Sequence, residues 1–144
     1  MDKLSERLAL AGVVDPDANA AGTFYTDPVD MADFNEVMLL FLLGISVTAG
    51  SHVLSATEEA ASGTGTGSVA ITGKAAGALT TGSNDSQAIV HVRASDLQQG
   101  FRYVYGRLVQ TTAGADSAVV AIGGAPRFHP ATDYDLASVV EIVD

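Results

Sequence analysis

The chain carries 144 residues, no cysteine, and a formal net charge of -10 from 17 acidic and 7 basic residues. That length suits one domain with a core that needs no disulfide or metal staple. The missing cysteine excludes a disulfide framework, thiol catalysis and thiolate metal sites, and the acidic balance argues against a nucleic-acid surface, which needs clustered Lys and Arg.

The charge sits at the ends. Residues 1–36 hold eight acids (Asp2, Glu6, Asp15, Asp17, Asp27, Asp30, Asp33, Glu36) against Lys3 and Arg7. Residues 133–144 hold Asp133, Asp135, Glu141 and Asp144 with no base, and everything between sums to zero. Such ends read as solvated termini or as arms that meet a basic partner surface. The opening "MDKLSERLALAGVV" has acids where the basic region of a secretory leader belongs, and Ser5, Glu6 and Arg7 break its apolar run, so no leader is assigned. We divide the chain into an N-terminal arm (1–21), a folded domain (22–131) and an acidic C-terminal tail (132–144).

"DPDANAAGTFYT" (15–26) opens with the Asp-x-Asp-x-Asn spacing of a calcium loop, with Asp15, Asp17 and Asn19 as oxygen donors. Ala20 then stands at the sharp-turn glycine position and Thr26 at that of the bidentate glutamate, which leaves the shell short of oxygens. The stretch reads as an Asx-rich turn; no metal is assigned, and these three residues stand as an incomplete calcium candidate.

"VMLLFLLGISV" (37–47) is the most apolar run. It is far shorter than the ~20 residues a membrane helix needs, and Asp33 and Glu36 crowd one end. Met31, Phe34, Met38, Phe41 and Ile45 fit a helical face. Val37, Leu39, Phe41, Leu43 and Ile45 equally alternate with Met38, Leu40, Leu42 and Gly44, as in a strand covered on both faces. Gly44 and the Val47-Thr48 end favour strand, and so do the downstream segments. We expect a central strand whose second apolar face, Met38, Leu40 and Leu42, needs a cover.

Downstream, "SHVLSATEE" (51–59), "QAIVHVRA" (87–94), "FRYVYGRLVQTTA" (101–113) and "SAVVAIGGA" (117–125) show period-two patterning in β-branched and aromatic residues, divided by Gly, Ser, Thr and Asp turns. They predict an all-β, antiparallel sandwich. The segment 60–85 is rich in Gly, Ala, Ser and Thr around a short "VAI" and reads as a long loop with a small strand. "ASDLQQG" (94–100) reads as one helical turn stopped at Gly100. Two prolines make "APRFHPATDYD" (125–135) extended.

No catalytic constellation emerges. "SVAITGKA" (68–75) has Ser68 and Ala75 where a phosphate loop needs Gly and Ser or Thr, and "GTGTGS" (63–68) has Ser68 in place of the third dinucleotide-loop glycine. His52, His91 and His129 are scattered singly, no Gly-x-Ser-x-Gly elbow exists, and Glu58-Glu59 face opposite ways in a strand. Arg102 and Arg107 beside Phe101, Tyr103 and Tyr105 read as strand packing rather than a single-strand nucleic-acid surface. The residues therefore predict a binding or structural module without a cofactor, not an enzyme, with no nucleic acid or membrane as partner.

Five stretches in this order, "GTFYTDPVDMADFNEVMLLFLLG" (22–44), "SATEEAASGTGTGSVAITGKAAGAL" (55–79), "NDSQAIVHVRASDL" (84–97), "FRYVYGRLVQT" (101–111) and "GGAPRFHPATDYDLASVVEIV" (123–143), resemble small virion proteins of tailed bacteriophages encoded among head genes. In that group a Val-Asp-Met opening leads to a hydrophobic strand, an Ile-Thr-Gly-Lys loop and an Arg-Tyr/Phe-x-Pro exit, which here reads "PRFHP" with Phe128 and His129. The resemblance implies a jelly-roll or immunoglobulin-like sandwich that decorates or cements a capsid, with the major capsid protein and copies of itself as partners in a homo-oligomer on the capsid surface of the virion, assembled in the host cytoplasm. It carries over no catalytic residue and does not reach residues 1–21. Expected contact residues are Met38, Leu40, Leu42, Tyr103, Tyr105, Arg127 and Phe128, with the termini and the 60–85 loop as further contact segments. Two other readings stay open: a head–tail connector or tail-associated subunit, and a host-surface or glycan-binding module using Tyr103 and Tyr105.

Overall fold

The computed structural model describes residues 3–46, 52–79, 84–111, 115–131, 135 and 137–143. Val47, Thr48, Asp2, Asp133 and Asp144, invoked above, lie outside the described residues. Among the described residues, a single helical turn, Leu4–Arg7, is followed by nine strands: β1 Leu8–Asn19, β2 Gly22–Tyr25, β3 Val29–Asp30, β4 Phe34–Ser46, β5 His52–Glu59, β6 Val69–Leu79, β7 Ser86–Arg93, β8 Tyr103–Gln110 and β9 Ala115–Pro126. A 3-10 turn, Ala94–Asp96, follows β7, and Gly100 with φ +91° ends that segment. No helix among the described residues is long and apolar enough to cross a membrane.

The strands form two antiparallel sheets, β1-β9-β4-β7 and β2-β8-β5-β6, with β3 also paired to β8. The pairs β1/β9, β2/β8, β4/β7 and β5/β6 are the rungs of one long hairpin, which rolls up so that β9 meets β4 and β8 meets β5. This is jelly-roll order, a double Greek key that curls the chain into two facing sheets. It selects the first of the two sandwich types expected from sequence.

Strand β4 holds the centre of the first sheet, as its two-sided apolarity predicts. Val37, Leu39 and Phe41 are wholly buried between the sheets. Opposite them, Leu54, Ala56, Val104 and Leu108 of β5 and β8 are equally inaccessible. Burying each of the larger of these side chains contributes roughly 1.5–3 kcal/mol.

Three expectations need correction. Residues 1–21 are mostly not an arm: β1 pairs with β9 from Leu8 to Asn19 as an integral edge strand. It was illegible because two irregularities, between Leu10 and Gly12 and between Val14 and Asp17, interrupt its alternation. A bulge of this kind resets which face each side chain takes, so Ala9, Ala11 and Val14 all reach the core despite uneven spacing. In the 60–85 segment the loop is real over 60–68, but the strand is longer than the short "VAI" suggests: Val69–Leu79 forms an edge strand on β5. Its Ala, Gly and Lys carry little strand propensity, so cross-strand pairing rather than side-chain pattern extends the strand past Thr72. Finally, Asp15–Asn19 is extended strand, not a wrapped Asx turn or cation loop.

Candidate interaction surface

Because side chains alternate across a strand, every strand of the first sheet presents a second, outward row. On β4 that row is Glu36, Met38, Leu40 and Leu42, all half-buried by their neighbours. Register places Leu40 between Val120 of β9 and Ile89 of β7, and Val13 of β1 lies beyond Val120. One apolar row thus crosses all four strands. The row toward the β4 start holds Leu10, Ile122, Met38 and His91, and the row on the other side holds Ala118, Leu42 and Gln87. Ile89 is 61% exposed and Leu10 is 38% exposed, large values for aliphatic side chains in a sheet. Scattered exposed leucines need no explanation, but a contiguous apolar field ringed by polar residues marks an interaction surface.

The field has charged borders of different character. At one end, Arg7, Arg93 and Glu36 stand beside it, and His91 Nε2 lies 3.1 Å from Glu36 Oε2. At the other end, Asp85 and Asp116 line a groove with Leu42, Gly44 and Ala118, and among the described residues no Lys or Arg lines it. Along the β1 side, the C-terminal segment returns past the sheet. Ala131 and Asp135 donate backbone N–H bonds to the carbonyls of Glu6 and Leu10, and Val139 and Ile142 face a groove shared with Leu8 and Ile122. That segment covers part of the β1 edge, which otherwise offers open hydrogen-bonding groups.

The outer face of the second sheet differs because its own chain covers it. Residues 60–68 fold over β5 and β8. Tyr105, completely buried, donates its hydroxyl proton to Glu59 Oε2 at 2.9 Å and accepts from Gly63 N–H at 2.9 Å. Burial pushes its hydroxyl up to about 12, against the Gly63 bond, and the Glu59 carboxylate adds to the rise. Ser68 Oγ bonds Thr57 Oγ1, and Gly65, with φ +79°, lets the loop lie against Tyr25, whose ring stands 2.7 Å from where a Cβ would sit. Tyr105 therefore anchors a loop and is not the surface aromatic that the sequence suggested.

The remaining expected contact residues do not converge. Tyr103 is half-buried on the second sheet, with the Arg102 guanidinium 5.4 Å from its ring centroid. Arg102 is itself clamped on Asp30, Nε to Oδ1 at 2.6 Å and a terminal nitrogen to Oδ2 at 2.5 Å. That bond holds the Asp30 carboxyl below its usual range against a smaller opposing effect of burial. Arg127 donates from Nε to the Met31 carbonyl, and Phe128, 76% exposed, sits on the exit loop after β9. Only Met38, Leu40 and Leu42 belong to one surface. Val120, Ile122, Ile89, Val13 and Leu10 complete it and were not singled out from sequence; their alternation is legible, but which strands lie side by side is not.

The calcium candidate dissolves into strand contacts. Asp17 Oδ1 accepts from Ala18 N–H at 2.7 Å, and the Asn19 amide donates to Ser117 O and Oγ, both at 3.0 Å. Among the described residues no group of three or more His, Asp or Glu is placed to hold a metal ion. Lys74 of the would-be phosphate loop pairs with Asp96 at 2.8 Å. Glu58 and Glu59 do face opposite ways: Glu59 meets Tyr105, whereas Glu58 points inward, fully buried, with Oε2 accepting from Gln98 N–H at 3.1 Å.

No family model matches the chain, and no curated protein matches it in sequence.

Proposed function

We propose that this protein is a non-enzymatic structural subunit of a tailed-bacteriophage particle, of the decoration or cement type, binding the outside of the capsid beside further copies of itself. The observation that carries a contact role is the outer face of the first sheet, where one apolar row spans four strands in a chain of net charge -10. The phage assignment rests on the resemblance of the five stretches from residue 22 onward. A jelly roll suits it but equally serves lectins and cupins, so the fold adds support only by analogy. Burial of Tyr105 removes one of the two rings on which a glycan-binding reading relied.

A cement protein stabilises a shell by many modest contacts repeated over a lattice, so weak pairwise affinity is compatible with a strong collective effect. The test is the protein's place and copy number in purified particles, by quantitative mass spectrometry and electron microscopy. Hundreds of copies spread over the shell support decoration. About a dozen copies at one vertex assign the subunit to neck or tail instead, and absence from particles overturns the reading.

A further inference from the structure

We infer that the outer face of the first sheet is a self-complementary surface, and that its occupant is the same face of a second copy turned end for end. The inference rests on reading that face as a contact surface, though not on the phage assignment.

The argument begins with symmetry. A two-fold pairing brings one patch onto itself, so any axis must place each row against a row it fits. An axis lying across the strands above the Leu40 row keeps each strand opposite its own copy and reverses the rows. Leu40, Val120 and Ile89 then meet their own counterparts in a wholly apolar centre. The Met38 row falls on the Leu42 row, which sets the larger Ile122 over the small Ala118 and His91 over Gln87. The next rows, Glu36 with Gly124 and Gly44 with Asp116, set Glu36 over Gly44 and Asp116 over Gly124, again a side chain against none. Interfaces pack to interior density only where bulk on one side meets space on the other.

Charge selects the same arrangement. On β7, Arg93 stands at the Glu36 level and Asp85 at the Gly44 level. Reversal therefore sets Arg93 of each copy near Asp85 of the other, twice per dimer. On β1, Arg7 comes likewise toward the end that holds Asp15 and Asp17. An axis parallel to the strands instead leaves the acidic ends of both copies together. For a chain of net charge -10, that second arrangement is repulsive, and like-charge juxtaposition rejects it.

Four strands spaced about 4.8 Å apart, over about seven residues at about 3.3 Å each, offer roughly 400 Å² of face per copy, bounded on the β1 side by Val139 and Ile142 of the C-terminal segment. The pair thus buries on the order of 1,000 Å² once side-chain relief is included, the lower bound for a specific interface. Paired sheets cross at about 30°, so the register is tightest at the Leu40 row and looser at the corners.

The experiment is sedimentation equilibrium on the purified full chain, from micromolar to several hundred micromolar, with circular dichroism to monitor folding. The wild type is expected to form a dimer and nothing larger. Ile89→Lys, at an exposed edge-strand position that accepts a long side chain, weakens dimerisation at least about tenfold. Leu40→Gln, at the centre, does the same if folding is retained. Arg93→Gln and Asp85→Asn each weaken it, and the double variant is no weaker than the worse single one, because both remove the same pair. Asn is chosen at position 85 because Asp85 has φ +54°, a conformation Asn tolerates. A wild type that stays monomeric throughout, a dimer indifferent to Ile89→Lys, or additive effects of the two charge variants overturns the inference. Failure here is separable from failure of the cement reading. A monomer abundant on phage shells refutes only the dimer, and a dimer absent from phage particles refutes only the phage role.

Discussion

Tyr105 offers the sharpest test of how this fold is held together, because one hydroxyl links a strand to the loop above it. Tyr105→Phe removes the bond to Glu59 and the one from Gly63 while leaving the ring in place. At neutral pH the loss is about 1–2 kcal/mol, the cost of leaving two partly buried partners unpaired. The pH dependence carries more information. The folded hydroxyl titrates at about 12 against 10.0 in the unfolded chain, so the folded state holds its proton more tightly. Stability from this group is therefore complete below pH ~10 and is lost as the pH rises through ~12, by roughly 2–3 kcal/mol in full. The other tyrosines are common to both proteins and cancel in the comparison. Wild type is thus the more stable at neutral pH, the two curves cross near pH ~11, and Tyr105→Phe is the more stable above it. Urea denaturation of both proteins at closely spaced pH values measures the difference directly. A wild-type advantage that stays constant from neutral to strongly alkaline pH would refute the claim that this hydroxyl is buried and neutral in the folded state.

Other consequences follow from the packing. Gly106→Ala would place a methyl 2.9 Å from Val119 Cγ1 and 3.1 Å from Thr26 Cγ2, and is expected to lower stability by about 1–3 kcal/mol in thermal unfolding. Deleting residues 1–20 removes β1, exposes β9 and the inner face, and should abolish cooperative unfolding by calorimetry. Deleting 137–144 leaves both sheets intact and should keep it. Asp30→Asn removes a carboxylate held below its usual range by Arg102; since a depressed pKa stabilises above the unfolded value and is lost as pH falls through the folded one, the variant should lose less stability than wild type on acidification.

How much was legible follows from what each residue senses locally. The β4 run, apolar on both sides, too short for a membrane and bounded by acids, fits a helical face as well as a strand, and the alternation of the downstream segments decides for a central strand. Strands β5, β7, β8 and β9 were visible for the same kind of reason, since alternation is a property of neighbouring residues. Strand β1 was missed because bulges scramble alternation, and β6 because Ala, Gly and Thr are silent about which face is buried. Tyr105 was misplaced because the sequence shows that it points away from the core but not that residues 60–68 fold back over it.

The sequence by itself determined the material: a cysteine-free all-β domain, acidic at its termini, with more apolar surface on one strand than a single core interface can hide. Tertiary structure alone decided where the excess goes. Strands distant in the chain, β1, β9, β4 and β7, become neighbours only when the long hairpin rolls up. Only that register lines up Val13, Val120, Leu40 and Ile89 into one row. A strand's faces are written in its own alternation, whereas a surface made of four strands depends on which backbones exchange hydrogen bonds, a long-range choice that no local window contains.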